Sequence, residues 1–424
     1  MVVTRSEEQQ TATGDNVRVE RPWIVSPEAG EALAIARAAS ERDPLRLATL
    51  LERTLGLGPD RRAAVLTQLA LEERAASRWR EPASALRFTR EGLEQATRPV
   101  LAAWRARRLR SLGVRTVADL GCGLGLESRA LAAEGIRVRA VELDPETAAL
   151  AAHNCPAAEV RCGDAMDPDT LAWALDGADA VFLDPARRDP KAPRTIEGRS
   201  GHRVAEPEAW SPPWSWIVEL ASRMPRTVVK VAPGIDHGLI PASASAIWAA
   251  VDGDLVEASI WFDGLAAPAR RSALALGTSV DGTPREDLLD DTMPVAEAVT
   301  AVGTHLIDVA PVVTRSGLVT SLAARLDATR IDPHIGFLTR DGAPAPSPFH
   351  TTYRVLAVMP FDSRRVGSAL ATMDCGALTV MKRGSAADSE ALRRTWLRGC
   401  NGTRSIVVAL TRIGDAPVAI VCEA

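Results

Sequence analysis

Four carboxylates stand at the ends of short apolar runs in the middle of the chain. Asp119 closes "TVAD", Glu142 closes "RVRAVE", Asp164 follows "EVRCG", and Asp184 closes "AVFLD". Asp119 is followed at once by Gly121, Gly123 and Gly125. Glycines between a strand and a helix let the backbone turn sharply and approach a ligand closely. The dinucleotide fingerprint requires glycine or alanine at position 126, where this chain has Leu126. No Gly-Lys-Ser/Thr follows, which excludes a P-loop. Glu142 lies 17 residues beyond Gly125 and can accept from both ribose hydroxyls of a nucleoside. Asp164 can accept from an adenine amino group. At Asp184-Pro185 a carboxylate could accept a hydrogen bond from a reacting nitrogen, or take its proton. An Asx turn stiffened by proline is the structural alternative.

These groups need a scaffold that brings strand ends together. From residue 116, "TVADLG", "IRVRAVEL", "AEVRC", "ADAVFLD" and "TVVKVAP" alternate with helical or long segments. That alternation predicts an α/β fold, a doubly wound Rossmann-like parallel sheet with helices on both faces. Ligands bind at the carboxyl ends of such strands, where all four carboxylates fall. "VEASIWF" and "SALAL" are expected to form an antiparallel edge pair. Residues 1–22 are polar and predict a disordered lead-in. A helical region spans 23–111: two short helices are capped by Ser26-Pro27 and Asp43-Pro44, a third short one follows, and a longer helix runs from about Arg90 to Arg110 with Thr89 as its cap. The sheet occupies 112–280, and an acidic stretch at 281–302 is a linker. A small α+β domain fills 303–424, with a closing hairpin about Gly414-Asp415.

Asp119-Leu-Gly-Cys-Gly-Leu-Gly125, Glu142, Gly163-Asp164-Ala165 and Leu183-Asp184-Pro185, in this order, resemble the successive motifs of the S-adenosylmethionine-dependent methyltransferases. "RFTREGLEQATRPVLAAWRARRL", "FLDPARR", "VVKVAPGIDH" and "LTVMKRG…SEALRR" extend the resemblance to bacterial methyltransferases with a C-terminal THUMP-like domain. The resemblance implies S-adenosyl-L-methionine as cofactor. It puts Gly121, Gly123 and Gly125 around its methionine part, Glu142 on the ribose, and Asp164 with Ala165 at the adenine. Asp119 orients the loop or meets the ligand amino group, and Thr89 and Gln95 lie beside it. Asp184 and Pro185 form the acceptor edge. Transfer from a sulfonium is an in-line displacement that requires no metal, and much of its catalysis comes from alignment. Relatives that methylate exocyclic amines often carry a second proline and an aromatic after the Asp-Pro. Here Ala186 and Arg187 stand instead, so the usual stacking surface for a flipped base is missing.

The substrate reading rests on charge. The chain's formal net charge is only −4, so a nucleic-acid face must be a local patch. Arg187 and Arg188 open a loop that also holds Lys191, Arg194, Arg199 and Arg203, against only Asp189 and Glu197. Residues 351–412 hold ten Lys/Arg against four acids. Both stretches fit phosphates, with solvated surface as the plain alternative. Lys230, Asp236 and His237 end the fifth strand at the acceptor edge, where Lys230 is expected to bind substrate together with Arg187 and Arg188, and His237 is either a general base or a structural loop histidine. Trp210, Trp214 and Trp216 either stack a base or anchor an insertion to the core. RNA is therefore the expected partner. A protein or small-molecule acceptor, and a non-catalytic RNA binder retaining the cofactor fold, stay open. Six dispersed cysteines without a CxxC pair, and histidines without HxxxH spacing, predict a reduced cytoplasmic protein without a metal site. No apolar run reaches ~18 residues, so no membrane span is expected. The oligomeric state is not legible.

Overall fold

The computed structural model describes residues 22–40, 42–79, 83–186, 206–278 and 282–423. Residues 1–21 of the lead-in lie outside these, as do Arg187, Arg188, Lys191, Arg194, Arg199 and Arg203 of the basic loop.

The N-terminal helices begin as their caps dictate. Ser26 accepts from the Ala29 amide ahead of α1 (Pro27–Ala38). Asp43 accepts from the Leu45 and Arg46 amides ahead of α2 (Pro44–Leu55). The third helix is not short: α3 (Pro59–Trp79) runs 21 residues, because no glycine or proline interrupts it after Pro59. The helix expected over Arg90–Arg110 is instead two, α4 (Arg90–Gln95) and α5 (Pro99–Ser111). Pro99 breaks it. Proline lacks the amide that would donate to the carbonyl four residues earlier, that of Gln95, and it pushes Arg98 into extended backbone (φ −63°, ψ 135°).

Next come β1 (Thr116–Leu120), α6 (Leu126–Ala133), β2 (Arg137–Glu142), α7 (Pro145–Asn154), β3 (Glu159–Cys162), α8 (Pro168–Leu175), β4 (Ala180–Leu183), α9 (Trp214–Arg223) and β5 (Thr227–Val231). These five strands pair in parallel in the order β3-β2-β1-β4-β5. Alternate residues feed opposite faces, as the strand period requires. Ala118, Leu120, Val181, Leu183, Val229 and Val231 enter one core with α9, while Val117, Ala180, Phe182 and Val228 enter another with α5 and α6.

The sheet extends through β6 (Ser245–Val251), β7 (Asp254–Trp261), β8 (Arg271–Thr278) and β9 (Pro284–Asp290), in the order β5-β7-β6-β8-β9. The expected antiparallel pair of "VEASIWF" and "SALAL" does not form, because β6 lies between them, antiparallel to β7 and parallel to β8. Its sequence "SAIWAAV" does not alternate, since both faces are buried. The stretch read as a linker holds β9, whose polar sequence suits an edge strand with one inward leucine, Leu289.

A second sheet follows, ordered β11-β12-β10-β13-β16-β15-β14. Its elements in chain order are β10 (His305–Val309), α10 (Pro311–Ser316), α11 (Val319–Leu326), β11 (Thr329–Arg330), β12 (Phe337–Arg340), β13 (His350–Pro360), α12 (Ser363–Thr372), β14 (Cys375–Lys382), α13 (Ser389–Leu397), β15 (Arg404–Ile413) and β16 (Ala416–Glu423). The two sheets are not independently packed. Ile307, Val309, Val312, Val313, Leu318 and Leu322 belong to the same buried cluster as Trp248, Ile260 and Ala273 of the first sheet.

Candidate active site

The glycine loop is built against its neighbours on both sides. The Gly121 and Cys122 amides donate to the Val141 carbonyl at 2.9 and 3.0 Å. Gly121 (φ +82°) leaves only 3.3 Å between a would-be Cβ and the Asp184 carbonyl oxygen. Gly125 (φ +71°) precedes α6, and a Cβ there would stand 3.1 Å from Ala151 of α7. Left-handed backbone and close approach together explain glycine at both positions.

Glu142 is fixed by this loop. Its Oε2 accepts from the Gly123 amide at 2.9 Å and its Oε1 from the Asp144 amide at 3.0 Å. Burial pushes its pKa up against those two bonds. Each oxygen keeps a second lone pair for a ligand hydroxyl. The β3 end is tied to Glu142 as well, since the Gly163 amide donates to the Glu142 carbonyl at 2.9 Å. Asp164 is exposed, its Oδ1 accepting from the Met166 amide at 2.8 Å, and Ala165 is half-buried beside it. The four strand ends thus share one edge.

Asp119 is wholly buried. Ser128 Oγ donates to its Oδ2 at 2.5 Å, and its Oδ1 has no hydrogen-bond partner. Burial raises its pKa to about 7 against the Ser128 bond, helped by the charges of Glu127, Asp184 and Glu142. A buried acceptor without a donor is the feature a ligand ammonium would satisfy.

Just beyond β4, Pro185 is buried and Ala186 exchanges backbone hydrogen bonds with Ser211 at 2.8 and 3.0 Å. Lys230 is only 7% exposed. Its Nζ lies 2.7 Å from Asp184 Oδ2 and 3.2 Å from the carbonyl of Gln95. Burial opposes its charge, but Asp184 and Glu257 outweigh that and raise its pKa. The Gln95 side chain is exposed, and Thr89 caps α4 by accepting from the Gly92 amide at 2.9 Å. His237 is engaged elsewhere, its Nε2 2.9 Å from the Arg315 carbonyl and its ring against Trp248. Asp236 accepts from the Gly238 amide at 2.9 Å. Trp210 and Trp214 are buried edge to face, 6.0 Å apart, which anchors the insertion to the core.

Three charged residues escaped the sequence reading. Arg105 of α5, 1% exposed, reaches Glu127 Oε1 at 2.6 Å and pairs with Glu257 of β7. Its guanidinium also lies over Phe182, 5.0 Å from the ring centroid. Burial opposes the guanidinium, and the two glutamates more than compensate, holding its pKa above the usual value. In sequence Arg105 is one arginine among several in "WRARRLR". The legible signal was Glu257, an acid flanked by Val256 and Ala258 in the middle of a strand.

Comparison with known proteins bears on this geometry. Residues 118–184 match a methyltransferase domain model, and residues 350–424 match a THUMP domain-like model. Uncharacterized S-adenosylmethionine-dependent methyltransferases from two Mycobacterium tuberculosis strains are each 34% identical over 331 residues, which is 77% of this chain and 85% of each relative. The chain belongs to the S-adenosylmethionine-dependent methyltransferases. A crystal structure from Porphyromonas gingivalis W83, provisionally named a methyltransferase, shares the fold with a TM-score of 0.71 at 20% identity, covering 93% of this chain and 98% of that one. The methyltransferase fold, the THUMP-like C-terminal unit and the cofactor expected from the motifs are therefore those of this chain. The residues fit that cofactor, with the orphaned Asp119 Oδ1 facing a cation's chemistry and Glu142 held in place for hydroxyls. No described helix is long and apolar enough to cross a membrane.

Proposed function

We propose that this methyltransferase acts on RNA and that Asp184-Pro185 is the edge where the acceptor meets the methyl group. One observation carries the RNA reading. Arg364 and Arg365 of α12, Arg394 of α13 and Arg398 just beyond it are exposed, and none faces a carboxylate among the described residues. Arg393, by contrast, pairs with Glu390. The two helices lie on one face of the second sheet, through Val366, Leu370 and Trp396. Gly367 allows them to touch, since a Cβ there would stand 3.1 Å from Trp396. Unpaired guanidiniums grouped in this way suit phosphates and gain affinity by releasing counterions. In the sequence, Arg187 and Arg188 follow Asp184-Pro185 within three residues and carry the same charge.

S-adenosyl-L-methionine supplies an electrophilic methyl on its sulfonium. Gly121, Gly123 and Gly125 cradle the methionine part, Asp119 takes its ammonium, Glu142 takes the ribose hydroxyls, and Asp164 with Ala165 meets the adenine. Asp184 would accept a hydrogen bond from the acceptor, turning the acceptor's lone pair toward the methyl, and would take its proton as the methyl group moves from sulfur to the acceptor. Catalysis is mainly alignment. Such chemistry, with reduced cysteines, belongs in the cytoplasm.

The test is a deletion strain. Mass spectrometry of its tRNA and rRNA nucleosides is expected to lack one methylated species, restored by the wild-type chain but not by Asp184→Ala. Arg364→Glu with Arg394→Glu is expected to weaken RNA binding about tenfold or more and to flatten its salt dependence. Unchanged nucleosides alongside altered methylation of protein or metabolites would refute the RNA reading.

A further inference from the structure

The helical region ahead of the sheet has an unassigned role, and its contacts place part of it at the acceptor edge. Helix α4 sits directly on the glycine loop. A Cβ on Gly92 would lie 2.7 Å from Leu124, the residue between Gly123 and Gly125. The end of α4 is Gln95, whose carbonyl lost its helical donor to Pro99. Lys230 Nζ supplies the missing hydrogen bond at 3.2 Å while holding Asp184 Oδ2 at 2.7 Å. One buried ammonium therefore joins the N-terminal helices, the fifth strand and the acceptor carboxylate.

We propose that Lys230 is a positioning residue that fixes the orientation of Asp184, and that the α4 end at Gln95 is a built wall of the acceptor site, latched there by the same ammonium. This rests on the reading of Asp184 as the acceptor residue. A carboxylate that loses its cation has two ways to relieve the strain: it can take a proton or it can swing toward water, and both misalign the acceptor. The other charged groups around the pair are fixed too. Glu257 lies on β7 two residues from Ser259, which pairs with Lys230, so it shares that face of the sheet. Arg105 comes from α5, Glu127 from α6 and Asp119 from β1, and Arg105 is already committed to Glu127 and Glu257. Among the described residues, Lys230 is the cation paired directly with Asp184, and Arg105 acts on that carboxylate only through its field.

The pair is tested on the full chain by two readouts. The first is methyl transfer to RNA from the deletion strain. Lys230→Met is expected to lower kcat about a hundredfold with cofactor Kd and KM for RNA each changed less than about threefold. Lys230→Arg keeps the charge and is expected to restore much of the rate. A role in stability alone would lower Tm and leave the kcat of the folded enzyme in place, which overturns the proposal. The second readout needs no acceptor: in Asp184→Asn the Lys230 ammonium is expected to titrate lower than in wild type, because the carboxylate that raises it is gone. An unmoved lysine overturns the proposal. If wild type transfers nothing to RNA while the lysine moves, the RNA reading fails and the Lys230 assignment stands.

Discussion

Asp119 illustrates how one residue's burial becomes a measurable property. Its pKa of about 7 arises chiefly from burial, with one oxygen unpartnered. Because the folded value lies above the unfolded one, its neutral form favours the fold. That contribution is complete below about pH 4 and is lost as pH rises through about 7. A ligand ammonium reverses the preference by favouring the carboxylate. Cofactor binding at pH 6 is therefore expected to release a proton, read by calorimetry as a heat that changes with the buffer's ionisation enthalpy. Asp119→Asn should abolish that dependence. Glu142→Ala should weaken cofactor binding by about tenfold to a hundredfold, the loss of hydrogen bonds to a charged group. Unchanged affinity by calorimetry would remove Glu142 from the ribose site. The identities of these carboxylates were legible because strand ends and glycine loops leave local marks. The partners were not: that Lys230 faces Asp184 follows from two strands lying side by side, and 46 residues separate them in sequence.

At the scale of elements, the Arg105 cluster fastens α5 to the sheet. A cation 1% exposed between Glu127 and Glu257 neutralises two carboxylates that water does not reach. Arg105→Met leaves both glutamates buried without it and is expected to destabilise the chain by about 3–5 kcal/mol, measured by urea unfolding at pH 7.5. A loss under about 1 kcal/mol would mean that solvent or Lys230 takes over the role. Caps and prolines made the helices readable, and Pro99 was visible as a helix breaker. Reading Arg90–Arg110 as one helix passed over that proline and merged α4 with α5. Strand β6 went unseen because its sequence does not alternate and its place in the sheet is set by β7 and β8.

The whole molecule is held by a core that crosses from one sheet to the other. Val312 and Val313 of α10 and Leu322 of α11 are buried in the same cluster as Trp248 and Ala273 of the first sheet. A chain ending at residue 302 would strip these neighbours and expose the apolar surface beneath them. It is expected to aggregate, whereas the intact chain should melt in one calorimetric transition. Two well-separated transitions would show that the sheets fold independently. By itself the sequence determined the parallel α/β sheet, the four carboxylate-bearing strand ends and the methyltransferase motifs, because period, glycine placement and capping act within a few residues. Only the tertiary structure decided that Lys230 is turned inward onto Asp184, that α4 closes over the glycine loop, and that Arg105 stands between two glutamates. Those contacts join residues far apart in the chain, and the reason they persist is collective: buried charges must find partners, and only the packed sheet and helices bring the partners within reach.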